Sequence, residues 1–330
     1  MDTHKAETFI DLFCGIGGFR TALDSFGLKC VFSCDVDKYA QKVYSVNFDE
    51  TPAGDITKIK EKDIPKHDVL CAGFPCQAFS ISGKQLGFKD TRGTLFSDIA
   101  RITAYHKPKI VFLENVKNLV RHDNGRTLAT ILKVLEQLGY DVYYEVLNSS
   151  YFGIPQSRER VYIVGFRKNL KINSFEFPKP TFNKVYLKDV LETDVNENEF
   201  AINRKDIVLW EKVVKSSLKP IQIGIINKGG QGERIYSVYG HAITLSAYGG
   251  GVASKTGAYL VDGVIRKLSP RECARLQGFP DTFKIPVSKS QAYRLFGNSI
   301  PIPVLKAVMN EILKSLSGKK VGLSLRTYGI

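Results

Sequence analysis

At 330 residues the chain is too long for a minimal module, and one large domain beside a smaller one is the expected division. Hydrophobic content of 43% and charged content of 24% exclude disorder as the default, and six cysteines with no C-x-x-C pair or Cys/His cluster argue against structural zinc, so no metal is expected. A net charge of +14 favours a polyanionic partner, of which nucleic acid is the commonest.

The opening MDTHKAET has no basic start running into an apolar core, so no leader is expected. No apolar run approaches the ~18 residues that span a bilayer, and free thiols fit a reducing cytoplasm. TFIDLF (8–13), CVFSCD (30–35), DVLCAGF (68–74) and KIVFLEN (109–115) read as buried strands, being short, β-branched or aromatic and bounded by turn residues. Between them FRTALDSFG (19–27), KYAQKVYSVNF (38–48) and TLFSDIARITAYH (94–106) carry helical spacing. Such alternation predicts an α/β fold, a parallel sheet covered on both faces. DVYYEVLN (141–148) and RERVYIVGF (158–166) follow with only SSYFGIPQS between them, so this pair is expected to be antiparallel. That is the sheet plan of a Rossmann-like methyltransferase, a plain Rossmann enzyme staying open at this point. NSFEFPKPTFNK (173–184) reads as a boundary, and residues 225–260, rich in Gly, Tyr, Ser and Thr, as a smaller loop-rich domain. The expected division is therefore 1–185 with 298–330, then 186–270, with 271–297 as a hinge. PIPVLKAVMNEILKSLSG (301–318) is an amphipathic helix suited to packing back on the first domain.

DLFCGIGG (11–18) lies between a strand and a helix, where glycines let backbone approach a ligand at a helix N-terminus. Asp35 closes the second strand, placed to take a ribose hydroxyl pair. Gly15, Gly17 and Gly18 lead into Phe19-Arg20-Thr21, which is not G-x-G-x-x-G and disfavours a dinucleotide. A tighter turn suits a nucleoside without a diphosphate, such as S-adenosylmethionine, or is simply a strand–helix connection. GDI (54–56) offers Asp55 to an adenine amino group near the end of the next expected strand.

Ligands of open α/β sheets sit at the carboxyl ends of the strands. DVLCA delivers the turn Gly73-Phe74-Pro75 and then Cys76 to that rim, and KIVFLEN delivers Glu114 and Asn115. QSRERVYIVGF brings Arg158 and Arg160 to the start of an antiparallel strand, at the same rim. A thiol, a carboxyl group and two guanidiniums beside an adenosine ligand suit methylation of a pyrimidine at carbon 5. Thiolate addition at carbon 6 makes carbon 5 enamine-like. Glu114 would serve ring nitrogen 3, for which a raised pKa is required; Arg160 would hold the exocyclic carbonyl, and Arg158 would favour the thiolate. A zinc deaminase is excluded, because Pro75-Cys76 has no following C-x-x-C partner and the chain has no H-x-E.

GFPCQAFSISGK (73–84), ENVKNL (114–119), QSRERVYIVGFR (156–167), RECARLQGFP (271–280) and FGNSIPIPV (296–304), in this order after DLFCGIGGF (11–19), resemble the ordered motifs of the DNA cytosine-5 methyltransferases. The likeness covers nearly the whole chain. It implies Cys76 as nucleophile with Glu114, Arg158 and Arg160 around the base. It implies S-adenosylmethionine, leaving as S-adenosylhomocysteine, against Phe13, Gly15, Gly17, Gly18, Asp35, Val36, Asp55, Ile56, Pro75, Asn298 and Ser299. Double-stranded DNA would meet Ser82, Lys84 and Arg92 on a loop running from Gln77 to Thr94, and Gln231, Arg234, Thr244, Tyr248 and Gly251 in the second domain. Gln231 would fill the gap left by a flipped cytosine. KGGQGERIYS (228–237) and AITLSAYGGG (242–251) resemble the target-recognition loops of a bacterial modification enzyme of this family, which implies the site GCGC with the inner cytosine methylated. A monomer in a bacterial cytoplasm, away from membranes, is expected, its functional partner a restriction endonuclease of the same site. Where the family often has Glu-Trp the chain has Asp35-Val36, removing an aromatic face for adenine. Competing readings are a tRNA cytosine methyltransferase, a DNA-binding protein on an inactive methyltransferase fold, and an NAD-dependent oxidoreductase.

Overall fold

The computed structural model describes residues 5–75, 95–211 and 215–318. Strands β1 (Thr8–Leu12), β2 (Lys29–Cys34), β3 (Val69–Gly73) and β4 (Ile110–Val116) run parallel in the order β2-β1-β3-β4. Helices α1 (Gly18–Asp24), α2 (Lys38–Phe48) and α3 (Leu95–His106) supply the crossovers between them. A further helix, α4 (Arg126–Gln137), leads to β5 (Tyr140–Asn148), and β6 (Glu159–Arg167) then inserts antiparallel between β4 and β5. The antiparallel pair expected from the short loop is thus present, and the sheet order is β2-β1-β3-β4-β6-β5.

The central strands read as unbroken apolar runs because both their faces are covered. Phe9, Cys71, Phe112 and Tyr162 face α1 and the C-terminal helices, while Ile10, Leu70, Val111 and Ile163 face α3 and α4. This is the two-residue period of strands, with one core on each side. One expected element does not form. No strand ends at Asp55; Ala53 makes only an isolated bridge to Cys34, and Asp55 caps a single 3₁₀ turn over Ile56–Lys58. An Asp side chain that bonds its own backbone two residues on favours such a turn over a strand.

The second domain is built on a sheet as well as loops. Strands β7 (Ile207–Leu209), β8 (Gln222–Ile226), β9 (Arg234–Ser237), β10 (Ala258–Val261) and β11 (Val264–Arg266) pair in the order β11-β10-β9-β8-β7, after a short helix α5 (Glu197–Phe200). Helices α6 (Pro270–Gln277) and α7 (Lys289–Asn298) occupy the segment expected as a hinge. A capping box between Ser269 and Glu272, with proline in the first turn, starts α6. Cys273, Leu276, Leu295 and Phe296 join the larger core. The last helix, α8 (Ile302–Leu316), packs on α1. Among the described residues no helix is long and apolar enough to cross a membrane.

Candidate active site

The parallel strands end at one rim, and a cavity of about 440 Å³ opens there, a volume suited to a small organic ligand. Its floor is the turn after β1. Phe13 and Gly15 both adopt positive φ, and Gly17, at φ 87°, caps α1. A side chain at Gly17 would begin 2.3 Å from the Phe48 ring, so only glycine lets this turn close against α2. The Asp35 carboxylate accepts the Gly15 N–H at 2.8 Å and the Asp37 N–H at 2.8 Å. It therefore organises the glycine turn from the end of β2 while lining the cavity. Burial raises its pKa, against the hydrogen bonds from Asp37 and Gly15. Val36 beside it is 70% exposed and forms part of the wall.

Asp11 also lines the cavity. Among the described residues neither of its buried carboxyl oxygens has a partner within hydrogen-bonding geometry, and burial raises its pKa well above the ordinary range, against the nearby backbone and charge of Arg20. An acidic, unsatisfied floor under a glycine turn fits a ligand that brings its own positive charge and N–H donors. S-adenosylmethionine is such a ligand.

The opposite wall carries Glu114 and Arg160. Glu114 closes β4 opposite Gly73 of β3, and its Oε1 lies 3.2 Å from Nε of Arg160. Burial pushes the Glu114 carboxyl up, with Arg160 and then Arg158 opposing. The turn after β3 is fastened by Asn115, whose Nδ2 donates to the Phe74 carbonyl at 2.7 Å in a buried contact. That bond holds the turn at Phe74, next to the wall residue Pro75.

Arg158 has a different position from its neighbour Arg160. It is buried, and its guanidinium donates to the carbonyls of Leu245, Gly297 and Ser299, each at 2.8 Å. Burial and the charge of Arg160 push its pKa down to about 9. It joins the start of β6, the second domain and the C-terminal helices.

Of the residues singled out in the sequence, Phe13, Gly15, Gly18, Asp35, Val36, Pro75, Glu114, Arg158, Arg160, Asn298, Ser299 and Tyr248 line one cavity. Gly17 lies behind it. Asp55 and Ile56 are not in its wall: the Asp55 carboxylate accepts from Thr57 N and Oγ1, at 3.0 and 2.7 Å, and Ile56 is buried in the core. Gln231, Tyr248 and Gly251 are exposed on two loops that pack together, Ala253 N–H donating to the Gly232 carbonyl at 3.0 Å, and Arg234 is exposed at the start of β9. Thr244 is also exposed, its hydroxyl donating to the Ser157 carbonyl. Cys76, Ser82, Lys84 and Arg92 lie outside the described residues. Sequence reasoning missed Asp11, Asp37 and Leu295 as wall residues. Asp11 had a visible signal, a carboxylate inside an otherwise apolar strand.

The chain matches the family described as C-5 cytosine-specific DNA methylase over residues 7–314. It is similar to the type II methyltransferase M.HhaI of Haemophilus parahaemolyticus, 56% identical over 312 residues that cover 94% of this chain and 95% of that one. M.HpaII of Haemophilus parainfluenzae is 47% identical over 325 residues, covering 94% and 90% of the two chains. Among solved structures, the S. pombe Dnmt2 methyltransferase matches with a TM-score of 0.72 at 20% identity, covering 94% of this chain and 99% of that one. A putative DNA modification methyltransferase from E. coli matches with a TM-score of 0.65 at 21% identity, covering 95% and 99%.

Proposed function

The chain belongs to the C-5 cytosine-specific DNA methylases, and from that membership we propose that it flips a cytosine out of duplex DNA and methylates carbon 5 through a covalent adduct with Cys76, at the inner cytosine of GCGC. The observation that carries the chemistry is the ion pair between buried Glu114 and partly exposed Arg160, facing a cavity beside the turn that leads to Cys76. Carbon 6 is inaccessible within a stacked duplex, so the base has to leave at a cost of a few kcal/mol. The Cys76 thiolate attacks carbon 6. Glu114, its proton favoured by burial, donates to ring nitrogen 3 as negative charge develops there. Arg160, already beside Glu114, donates to the exocyclic carbonyl.

S-adenosylmethionine, held by the glycine turn, Asp35, Asp11 and the Asn298–Ser299 wall, supplies an electrophilic methyl group when bound. Asp35 binds a ribose hydroxyl pair with the carboxylate lone pairs that the backbone leaves free. Asp55, turned to Thr57, is not among the residues we assign to adenine. The target assignment rests on the resemblance of residues 228–237 and 242–251 to recognition loops, whose exposed Gln231 and Arg234 suit insertion and guanine reading. A role in modification beside a restriction endonuclease accords with the type II names of the relatives, and we propose a cytoplasmic monomer.

The test is transfer of radiolabelled methyl from S-adenosylmethionine to duplexes containing GCGC, GGCC, CCGG or a scrambled site, with wild-type and Cys76→Ala protein. Label on GCGC alone, lost in the variant, is expected. Label on another duplex would remove the target assignment, and label surviving in Cys76→Ala would remove the covalent mechanism.

A further inference from the structure

The segment leading into the loop 246–251 is laid alongside the start of β6. Ala242 makes an isolated parallel bridge with Gln156: its N–H donates to the Pro155 carbonyl at 2.7 Å, and its carbonyl accepts the Ser157 N–H at 2.9 Å. Further along, the backbone of Leu245 is gripped from both sides. Its N–H donates to Oε1 of Gln156 at 3.0 Å, and its carbonyl accepts from Arg158 at 2.8 Å. The exposed loop with Tyr248 begins directly after this grip.

Gln156 is fully buried, and both ends of its amide are engaged. Nε2 donates at 2.7 Å to the Leu276 carbonyl, one of those that the last turn of α6 leaves open. A main-chain N–H at one end and a main-chain carbonyl at the other demand an acceptor and a donor in fixed places. An amide meets both in a single orientation; a carboxylate lacks the donor and an alkyl chain lacks both. The Gln156 carbonyl is itself held by the hydroxyls of Ser149 and Ser150, at 2.7 and 3.0 Å. Gln156 therefore joins three parts of the molecule: the start of the strand that carries Arg160, the segment that carries Tyr248, and α6. It stays outside the cavity wall.

We propose that Gln156 is a positioning residue that sets the register between the loop 246–251 and the catalytic rim, and so determines how strictly methyl transfer is confined to one DNA sequence. The inference rests on that loop reading bases and on Cys76, Glu114 and Arg160 carrying out transfer. Discrimination arises only where the reading contacts and the attack geometry are met in one transition state. A loop free to slide by about 1 Å meets one at the expense of the other, a displacement worth up to about 10²-fold in rate. The correct site feels that loss in full. A site with one wrong base pair has already forfeited a contact and loses less, so the preference narrows.

The experiment measures kcat/KM for methyl transfer to a GCGC duplex and to duplexes changed at one outer base pair, for wild type, Gln156→Met, Gln156→Asn and Tyr140→Phe. Urea midpoints and the dissociation constant of S-adenosylhomocysteine are measured alongside. Tyr140→Phe controls for stability alone, since it removes a buried hydrogen bond to the Pro108 carbonyl at the end of the sheet away from the cavity. Wild type is expected to favour GCGC by about 5–150-fold for each altered pair. Gln156→Met keeps the length of the side chain but bonds neither partner. It is expected to lower kcat/KM at GCGC by about 10–100-fold and at the altered duplexes by much less, with S-adenosylhomocysteine affinity unchanged. Gln156→Asn, too short to reach Leu245 and Leu276 together, is expected to fall between. An unchanged preference in Gln156→Asn or in a folded Gln156→Met overturns the proposal, and so does an equal narrowing in Tyr140→Phe. Wild type that transfers no methyl, or shows no preference among the duplexes, would instead overturn the functional reading on which it rests.

Discussion

Glu114 and Asp11 are both buried carboxyls with raised pKa values, yet they answer different questions. For Glu114 the protonated form is the one the chemistry uses, so the single-turnover rate should fall as pH rises through its raised pKa. Glu114→Gln cannot ionise; it should lose that alkaline limb and drop about 10²–10⁴-fold in rate, as measured by quenched-flow methyl transfer across pH. For Asp11 the consequence is stability. Its ionised form is disfavoured in the fold, so the contribution is fully present below the ordinary aspartate pKa and is lost as pH rises through the raised folded value. Asp11→Asn should therefore stabilise the ligand-free protein by about 1–3 kcal/mol near pH 8. That gain should shrink toward pH 4 in urea titrations, and cofactor binding should weaken in the same variant. Strand ends are where such groups gather, and from that the sequence brought Glu114, Arg158 and Arg160 to one rim, where all three line the cavity. What it could not show is the partners of Arg158, because the carbonyls that claim its guanidinium lie 87, 139 and 141 residues further on.

That guanidinium acts at the scale of elements. Three carbonyls from two distant segments converge on the first residue before β6, and a residue that cannot reach all three leaves buried acceptors unpaired. Arg158→Lys should lower the urea midpoint by an amount equivalent to about 2–4 kcal/mol, and it should disturb the loop at Tyr248 before it affects the sheet; limited proteolysis near residue 248 would show this order. A uniform loss of stability with no earlier cleavage there would count against a clasp. Legibility at this scale followed length and burial. Strands β1, β3 and β4, covered on both faces, announce themselves as apolar runs, and the short β5–β6 connection announces its own direction. Strands β7 to β11 are three to five residues long, so their two-residue period never repeats often enough to read. Helix α4 carries Leu128, Ile131, Val134 and Leu135 at helical spacing, and that signal was available.

Taken whole, the molecule carries a net charge of +14 and presents the exposed segments 228–237 and 242–251 beside the cavity proposed to receive the base. Phosphate contacts release counterions, so DNA affinity should fall steeply with salt, by about 10³–10⁵ between 50 and 200 mM if 6–10 phosphates are neutralised. Fluorescence anisotropy with a labelled duplex would measure the slope, and a shallow one would place the excess charge away from the DNA. One feature of the chain path bears on how the protein comes into being. The glycine turn belongs to the first twenty residues, but Gly18 rests against Ile300, and part of the cavity wall comes from Asn298 and Ser299. A nascent chain can thus assemble its sheet from the amino end, strand by strand, and still lack the wall that residues 295–300 supply. Until synthesis has passed residue 300 and α8 has docked on α1, the proposed methyl-donor site is incomplete, so a truncated or stalled product is expected to be unable to mark DNA.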